Sequence, residues 1–446
     1  MRRHLRRTRH RFFKPTAWRT RLIFWLGAVL VGLAAAVFAL LGEHADLFYR
    51  QHVAASAWLP FVVTPLGLMA AAWVTRVFFP GAEGSGIPQT LVALQSTGGA
   101  LCGRLLSMRI VFGKILLTVM GLFSGASVGR EGPTVHVGAA IMYSIGQYAH
   151  VPARYLQRGL ILTGGGAGVA AAFNTPLAGI MFAIEEMARA FDRRNIGMMV
   201  IGIVLAGMTA IFIHQKNYNY YGTLPADIDF HWIGAAVLAC GVLGGLLGGS
   251  FSAVLIWSTA KLRPLMQHHA LKVAFVCGLV LAVIGTLSGG IVYGTGYIEA
   301  RQIVSCAGVA HCDADVGVAY PLLKMLATIA SYLSAIPAGI FAPSLATGAG
   351  LGHDIAMLFP PQFAAAVVLL GMVGYFSGVV QTPITAFVIV MEMTDNQDMV
   401  LAMMATALLA SGTSKLVCRK PVYNALAENF LRALAAEKKA QIAESK

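Results

Sequence analysis

The chain has 446 residues, of which 57% are hydrophobic and 12% charged, with a mean hydropathy of +0.71 and a net charge of +14. A soluble domain carries about a quarter charged residues, so composition excludes one here. Segments 22–42, 196–213 and 232–257 each reach the roughly 18 to 20 apolar residues needed to cross a bilayer, and predict a polytopic α-helical membrane protein.

In chain order, residues 1–21 form a basic arm with nine Lys/Arg and no acid, while the remainder holds 24 basic and 19 acidic residues. Positive charge before a first span predicts a cytoplasmic N-terminus. A nucleic-acid arm looks similar, but the adjoining span favours topology, with lipid headgroups as an added contact and no nucleic-acid partner. The first apolar run is too long for a signal-peptide core and is read as retained. Three Gly/Pro punctuations then interrupt apolar sequence: "GSGIP" at 84–88, "GREGP" at 129–133 and "GIFAP" at 339–343. "GREGP" follows a run, 110–128, in which Lys114 is the only charge. The polar stretches 215–231 and 297–317 read as loops, the histidines, such as those of "QHH" at 267–269, as loop residues, and the tail after Tyr423 as helix-friendly. The six cysteines are scattered and show no metal-ligand spacing, so they are expected to be unpaired small residues, with pairing of Cys306 and Cys312 as the alternative if their loop faces an oxidising compartment. No cofactor or metal is expected.

A weak repeat is legible. "NTPLAGIMFAIEEM" at 174–187 and "QTPITAFVIVMEM" at 381–393 each carry a Glu nine residues after the proline, Glu185 and Glu392. "GREGP" and "GIFAP" precede them at similar distances, giving an offset of about 210 between two sets of landmarks. This predicts two related membrane halves, 22–215 and 232–425, joined by a loop at 216–231 and followed by a short tail at 426–446. Interrupted helices in matching positions of two halves point to a transporter's substrate site.

Each punctuation suits a helix start. Proline is tolerated in the first turn, and glycine permits a tight turn into it. The free N–H groups of a helix start attract anions. Several starts meeting inside the membrane make an anion site without a full cation, which holds an ion weakly enough to release it. Taken singly, each motif fits a turn at the membrane surface equally well. Buried acids are the second signal, because ionisable groups are costly inside a membrane. Glu131 stands at a helix start, and its carboxylate is itself an anion able to occupy the site it guards. A helix cap, or a partner for Arg130, is the plainer alternative. Glu185 and Glu186 lie in an apolar helix, where Glu185 also fits an ion pair with Lys114 or Arg189.

Together "GSGIP", "GREGP", "GIFAP", the lysine at 114, "AAAFNTPLAGIMFAIEEM", "VIVMEMTDN" and "KPVY" resemble the CLC family of chloride channels and proton-coupled chloride antiporters, over about residues 25 to 430. The resemblance implies an all-α inverted-repeat bundle of tilted and broken helices that forms a homodimer. It implies Glu131 as the gating glutamate and Glu186 as the internal proton-transfer glutamate. Ser85 and Tyr423 would give hydroxyls, and Ile340 and Phe341 backbone N–H groups, to a central chloride. Gly84, Gly86, Gly129, Arg130, Gly132, Gly339, Lys114 and Glu185 support them. Serine at 85 fits the chloride branch rather than the nitrate branch. "QTL" after GSGIP and "SAIPA" before GIFAP depart from the family pattern, and no regulatory nucleotide-binding pair is expected. The expected function is chloride/proton antiport in a bacterial inner membrane, with both termini cytoplasmic. The rivals are a passive voltage- or pH-gated chloride channel on the same fold and, remotely, an intramembrane serine protease using Ser85, for which no histidine is evidently placed as base.

Overall fold

The computed structural model describes residues 15–96, 99–149, 154–187, 196–214, 221, 229–309 and 316–444. Among them there is no β-strand, and the chain runs as helices of very unequal length. Among the described residues, seven helical stretches are long and apolar enough to cross a membrane, including those that contain the three predicted spans. The first half comprises α1 (Pro15–Tyr49), α2 (Leu59–Phe78), α3 (Ile87–Gln95), α4 (Gly99–Leu105), α5 (Met108–Phe123), α6 (Glu131–Tyr148), α7 (Arg154–Phe173), α8 (Pro176–Phe182) and α9 (Ile196–His214). The second comprises α10 (Phe230–Leu287), α11 (Tyr297–Cys306), α12 (Tyr320–Leu333), α13 (Phe341–Ala356), α14 (Ala364–Val380), α15 (Pro383–Thr394), α16 (Val400–Val417) and α17 (Val422–Glu444).

Burial sorts these helices. Helices α1, α9, α10 and α16 expose large apolar side chains such as Leu26, Phe212, Trp257 and Leu416, as lipid-facing helices do. By contrast α6, α13 and α14 are buried nearly all round by protein. Close backbone approach makes this possible. A Cβ on Gly138 of α6 would lie 2.2 Å from the carbonyl oxygen of Gly164 on α7, and one on Gly164 would lie 2.3 Å from that of Gly138. Gly352 of α13 and Gly371 of α14 meet in the same way, with a Cβ on Gly371 only 2.3 Å from the Gly352 Cα. Small residues at such crossings let dispersion contacts replace the hydrophobic drive that lipid removes.

The repeat recurs in hydrogen bonds. Lys114 Nζ donates to the carbonyl of Gly84 at 2.6 Å, and Lys324 Nζ donates to that of Gly294 at 2.9 Å. Gly84 and Gly294 each sit two residues before a left-handed glycine, Gly86 (φ 94°) and Gly296 (φ 85°), which opens a helix. The loop "GTGYI" at 294–298 is thus a fourth helix opening, matching "GSGIP" but lacking the proline by which the other three stand out. The polar stretch 297–317 is accordingly no simple loop. Its first ten residues are α11, with Tyr297, Glu299, Ala300, Ile303 and Val304 buried.

Three smaller expectations change. His136 is not a loop residue but is buried in α6, with Nε2 2.9 Å from the Leu105 carbonyl. The "QHH" stretch lies within α10, whose axis kinks at His269 (φ −130°, ψ 41°). Cys306 is disulfide-bonded, whereas Cys102, Cys240, Cys277 and Cys418 are free. Cys312 lies outside the described residues, as do most of the basic arm, most of 215–231, and Arg189. The tail is helical, as its composition suggested, and it packs against the bundle through the buried Leu426, Ala427 and Ala433.

Candidate functional site

The three punctuations meet. Gly129 and Gly339 exchange a pair of backbone hydrogen bonds, 2.8 and 3.0 Å long, and so tie the start of α6 to the start of α13. The Gly84 N–H donates to the Ile336 carbonyl at 3.0 Å, and the Ala338 N–H donates to the Gly84 carbonyl at 3.2 Å, which adds the loop that opens α3. Gly132 is a glycine for a definite reason. A Cβ there would stand 2.4 Å from Ser85 Oγ and 3.5 Å from the Gly339 Cα. Residues nearly fifty and more than two hundred positions apart are therefore in van der Waals contact around one point.

Glu131 occupies that point. It is fully buried, and both carboxylate oxygens are engaged. Oε1 accepts the Tyr297 hydroxyl at 2.7 Å, and Oε2 accepts the Ala342 N–H at 3.3 Å. The second contact is the telling one. Ile340 caps α13, and Phe341 and Ala342 follow in its first turn, so their N–H groups have no acceptor within the helix. A carboxylate of the chain thus sits where an anion would sit. Arg130 turns away, donating to the Ala39 carbonyl at 2.6 Å and lying over the Tyr297 ring at 5.6 Å. The plainer role for Glu131, a partner for Arg130, is not needed to account for its position.

Ser85 and Tyr423 lie beside it. Both are fully buried, and neither hydroxyl has a well-formed hydrogen bond among the described residues. Buried hydroxyls are rarely left so, and two beside a helix-start cluster are what a bound halide would satisfy. The Tyr423 phenol is close enough to Glu186, Glu131 and Ser85 to interact with all three. Its ring packs edge-on against Phe341 at 5.7 Å, and Phe341 in turn packs on Phe173, Phe182 and Phe376. A cavity of about 590 Å³ reaches the loop at Gly84, and Arg76, Arg104, Arg263 and Arg432 are among its lining residues. Positive lining of this kind raises the local anion concentration.

The adjacent glutamates separate. Both lie in a π-turn, Ala183–Met187, a distortion frequent at functional sites. Glu186 is 3% exposed and is placed toward Tyr423. Glu185 does not pair with Lys114. Its carboxylate accepts the N–H groups of Ile384 and Thr385 and the Thr385 hydroxyl, at 3.1, 2.7 and 2.8 Å, and so caps α15. Glu392 returns the contact, accepting the Leu177 and Ala178 N–H groups at 3.1 and 2.7 Å at the start of α8. The two repeat-related glutamates thus cap each other's helices, so the ion-pair alternative with Lys114 is corrected. Lys114 instead holds the carbonyls of Glu83 and Gly84 beside Ser85. Sequence reasoning missed Tyr297 and Lys324. The offset of about 210 that relates them to Ile87 and Lys114 was the available signal. Among the described residues no base lies within hydrogen-bonding distance of Ser85 Oγ, which leaves the protease reading without support.

Interrupted helices that meet at their starts, in two halves with matching hydrogen bonds, are the architecture of a membrane ion transporter. The chain belongs to the voltage gated chloride channel family, whose model matches residues 66–415. It is 30% identical over 447 residues to the H(+)/Cl(-) exchange transporter ClcA of Cronobacter sakazakii, and 28% identical over 440 residues to that of Klebsiella pneumoniae. Each alignment covers 94% of this chain and 91% of the relative. The structure of a slow cyanobacterial Cl-/H+ antiporter superposes with a TM-score of 0.78 at 24% identity, over 93% of this chain and 98% of that one.

The geometry sets an expected result for Ser85. Ser85→Pro should shift selectivity from chloride toward nitrate. Proline removes the hydroxyl and the backbone N–H at a helix opening. A small spherical anion loses more from that than a planar one with three acceptor oxygens. A loss of ~1.4 kcal/mol in preference is tenfold in relative affinity. Competitive uptake of the two anions into liposomes measures the ratio. An unchanged ratio in a folded, active variant would mean that Ser85 does not face the ion.

Proposed function

We propose that the protein exchanges chloride for protons across a bacterial inner membrane, with Glu131 as both gate and proton acceptor. The observation that carries this reading is the Glu131 carboxylate at the start of α13, in contact with the Ala342 N–H. Chloride and this carboxylate compete for one set of N–H groups. When chloride holds them, the displaced carboxylate stands beside a like charge in a poorly solvated place, and both effects favour its protonation. Proton uptake is thereby tied to chloride occupancy. Glu186 passes the proton on to the cytoplasmic side, and chloride follows the Ser85 and Tyr423 hydroxyls, Ile340 and Phe341.

The halves 22–215 and 232–425 are related by inversion, the termini are cytoplasmic, and two subunits assemble, each with its own pathway. The recurring lysine, glycine and glutamate contacts support the division. The relatives' exchange activity supports antiport over a passive channel. The test is proton movement in proteoliposomes under a chloride gradient. Uphill proton movement is the expected result. Chloride flux with no proton movement would leave a passive channel.

A further inference from the structure

Tyr297 holds the place in the second half that Ile87 holds in the first, each following a left-handed glycine at the opening of a helix. These two positions have different neighbours. Ile87 is an apolar core residue close in sequence to the Ser85 hydroxyl. Tyr297 extends a hydroxyl into the other half and donates it to Glu131 Oε1 at 2.7 Å. Its ring is fixed from two sides, by the Arg130 guanidinium at 5.6 Å and by the Tyr221 ring at 6.1 Å. Tyr297 is 9% exposed, so water competes poorly for that bond.

We propose that Tyr297 is a positioning residue for the gate: its hydroxyl holds the ionised Glu131 carboxylate in the anion position at the start of α13, and so sets how much acid and how much chloride release it. The proposal rests on the reading of Glu131 as gate. A hydroxyl donates more strongly to a carboxylate than to the neutral acid. The bond therefore favours the ionised, site-occupying form over the protonated, displaced one. It also opposes chloride, because a carboxylate held by two donors is harder to displace than one held by Ala342 alone.

Other titratable groups face this pair. Arg130 lies over the Tyr297 ring, and Tyr423 interacts with Glu131. Tyr221 stacks beside Tyr297, and Lys324 lies against Gly296. On α11 itself Glu299 is buried and paired with Arg50, which also binds Asp46. Each of these is unchanged by Tyr297→Phe, which removes one oxygen and keeps the ring.

The test is chloride efflux from proteoliposomes as a function of pH and of chloride, with coupled proton movement read in parallel. In Tyr297→Phe the pH of half-maximal flux should rise by about one unit, the size of a hydrogen bond to a charged group. The chloride concentration for half-maximal flux should fall severalfold, and proton coupling should persist. Tyr297→His, which keeps a ring N–H, should move the pH profile less than phenylalanine does. A packing role predicts the reverse order, since histidine is the poorer shape match, and that order would overturn the proposal. In a Glu131→Gln background Tyr297→Phe should alter neither profile. An unmoved pH profile in Tyr297→Phe, with Glu131→Gln uncoupled, overturns the clamp alone. Persistent coupling in Glu131→Gln overturns the gate beneath it.

Discussion

Glu131→Ala, and equally Glu131→Gln, should pass chloride while moving no coupled protons. The expected effect is complete. In liposomes with an imposed chloride gradient, proton movement falls to that of protein-free vesicles, and chloride flux loses its dependence on pH. The reason lies in how Glu131 is held. Its oxygens take the Tyr297 hydroxyl and the Ala342 N–H, the second of which belongs to the helix start that would bind the ion. Alanine vacates that position and leaves the N–H groups to chloride. Glutamine fills nearly the same volume but cannot take up a proton. The site keeps its shape in either case, because Gly129 and Gly339 bind each other through backbone groups alone. Normal coupling in purified Glu131→Ala would sink the assignment of Glu131 as proton acceptor.

Glu186→Gln should also stop proton movement, but with a different signature. Glu131 is still present as an anion at high pH, so chloride flux should continue to fall as pH rises. The two variants are thus told apart by the pH profile and not by coupling. Glu186 is suited to a relay by position. It is 3% exposed, it lies in a π-turn, and it interacts with Tyr423, which in turn reaches Glu131. Glu185→Gln is the natural control. It weakens the cap on α15 and should lower thermal stability by about 1 kcal/mol while retaining coupling. Wild-type coupling in folded Glu186→Gln would make Glu186 structural and remove the main residue-level argument against a passive channel.

The sequence alone determined that this chain crosses a membrane many times, because hydropathy is a sum over neighbours and needs no fold. It also determined the three proline-marked helix starts, because glycine and proline are local signals, and its repeat spacing is what suggests the pairing of halves. The identity of Glu131 as an acid at a helix start was legible for the same reason. Local sequence signals could not separate Glu185 from Glu186, whose roles only the family resemblance told apart. Adjacent residues share every local signal, and only the π-turn and the facing start of α15 send one to a cap and leave the other near Tyr423. Nor could the sequence see what Tyr297 touches, although the offset of about 210 marked its position. Its stretch is polar enough to read as loop, and its role exists only because α11 and α6, 166 positions apart at that contact, are brought together. A hydrogen bond across two halves has no periodicity to betray it. The meeting of helix starts from separate segments is likewise a property of packed backbones, and the glycines that permit it become meaningful only once their neighbours are in place.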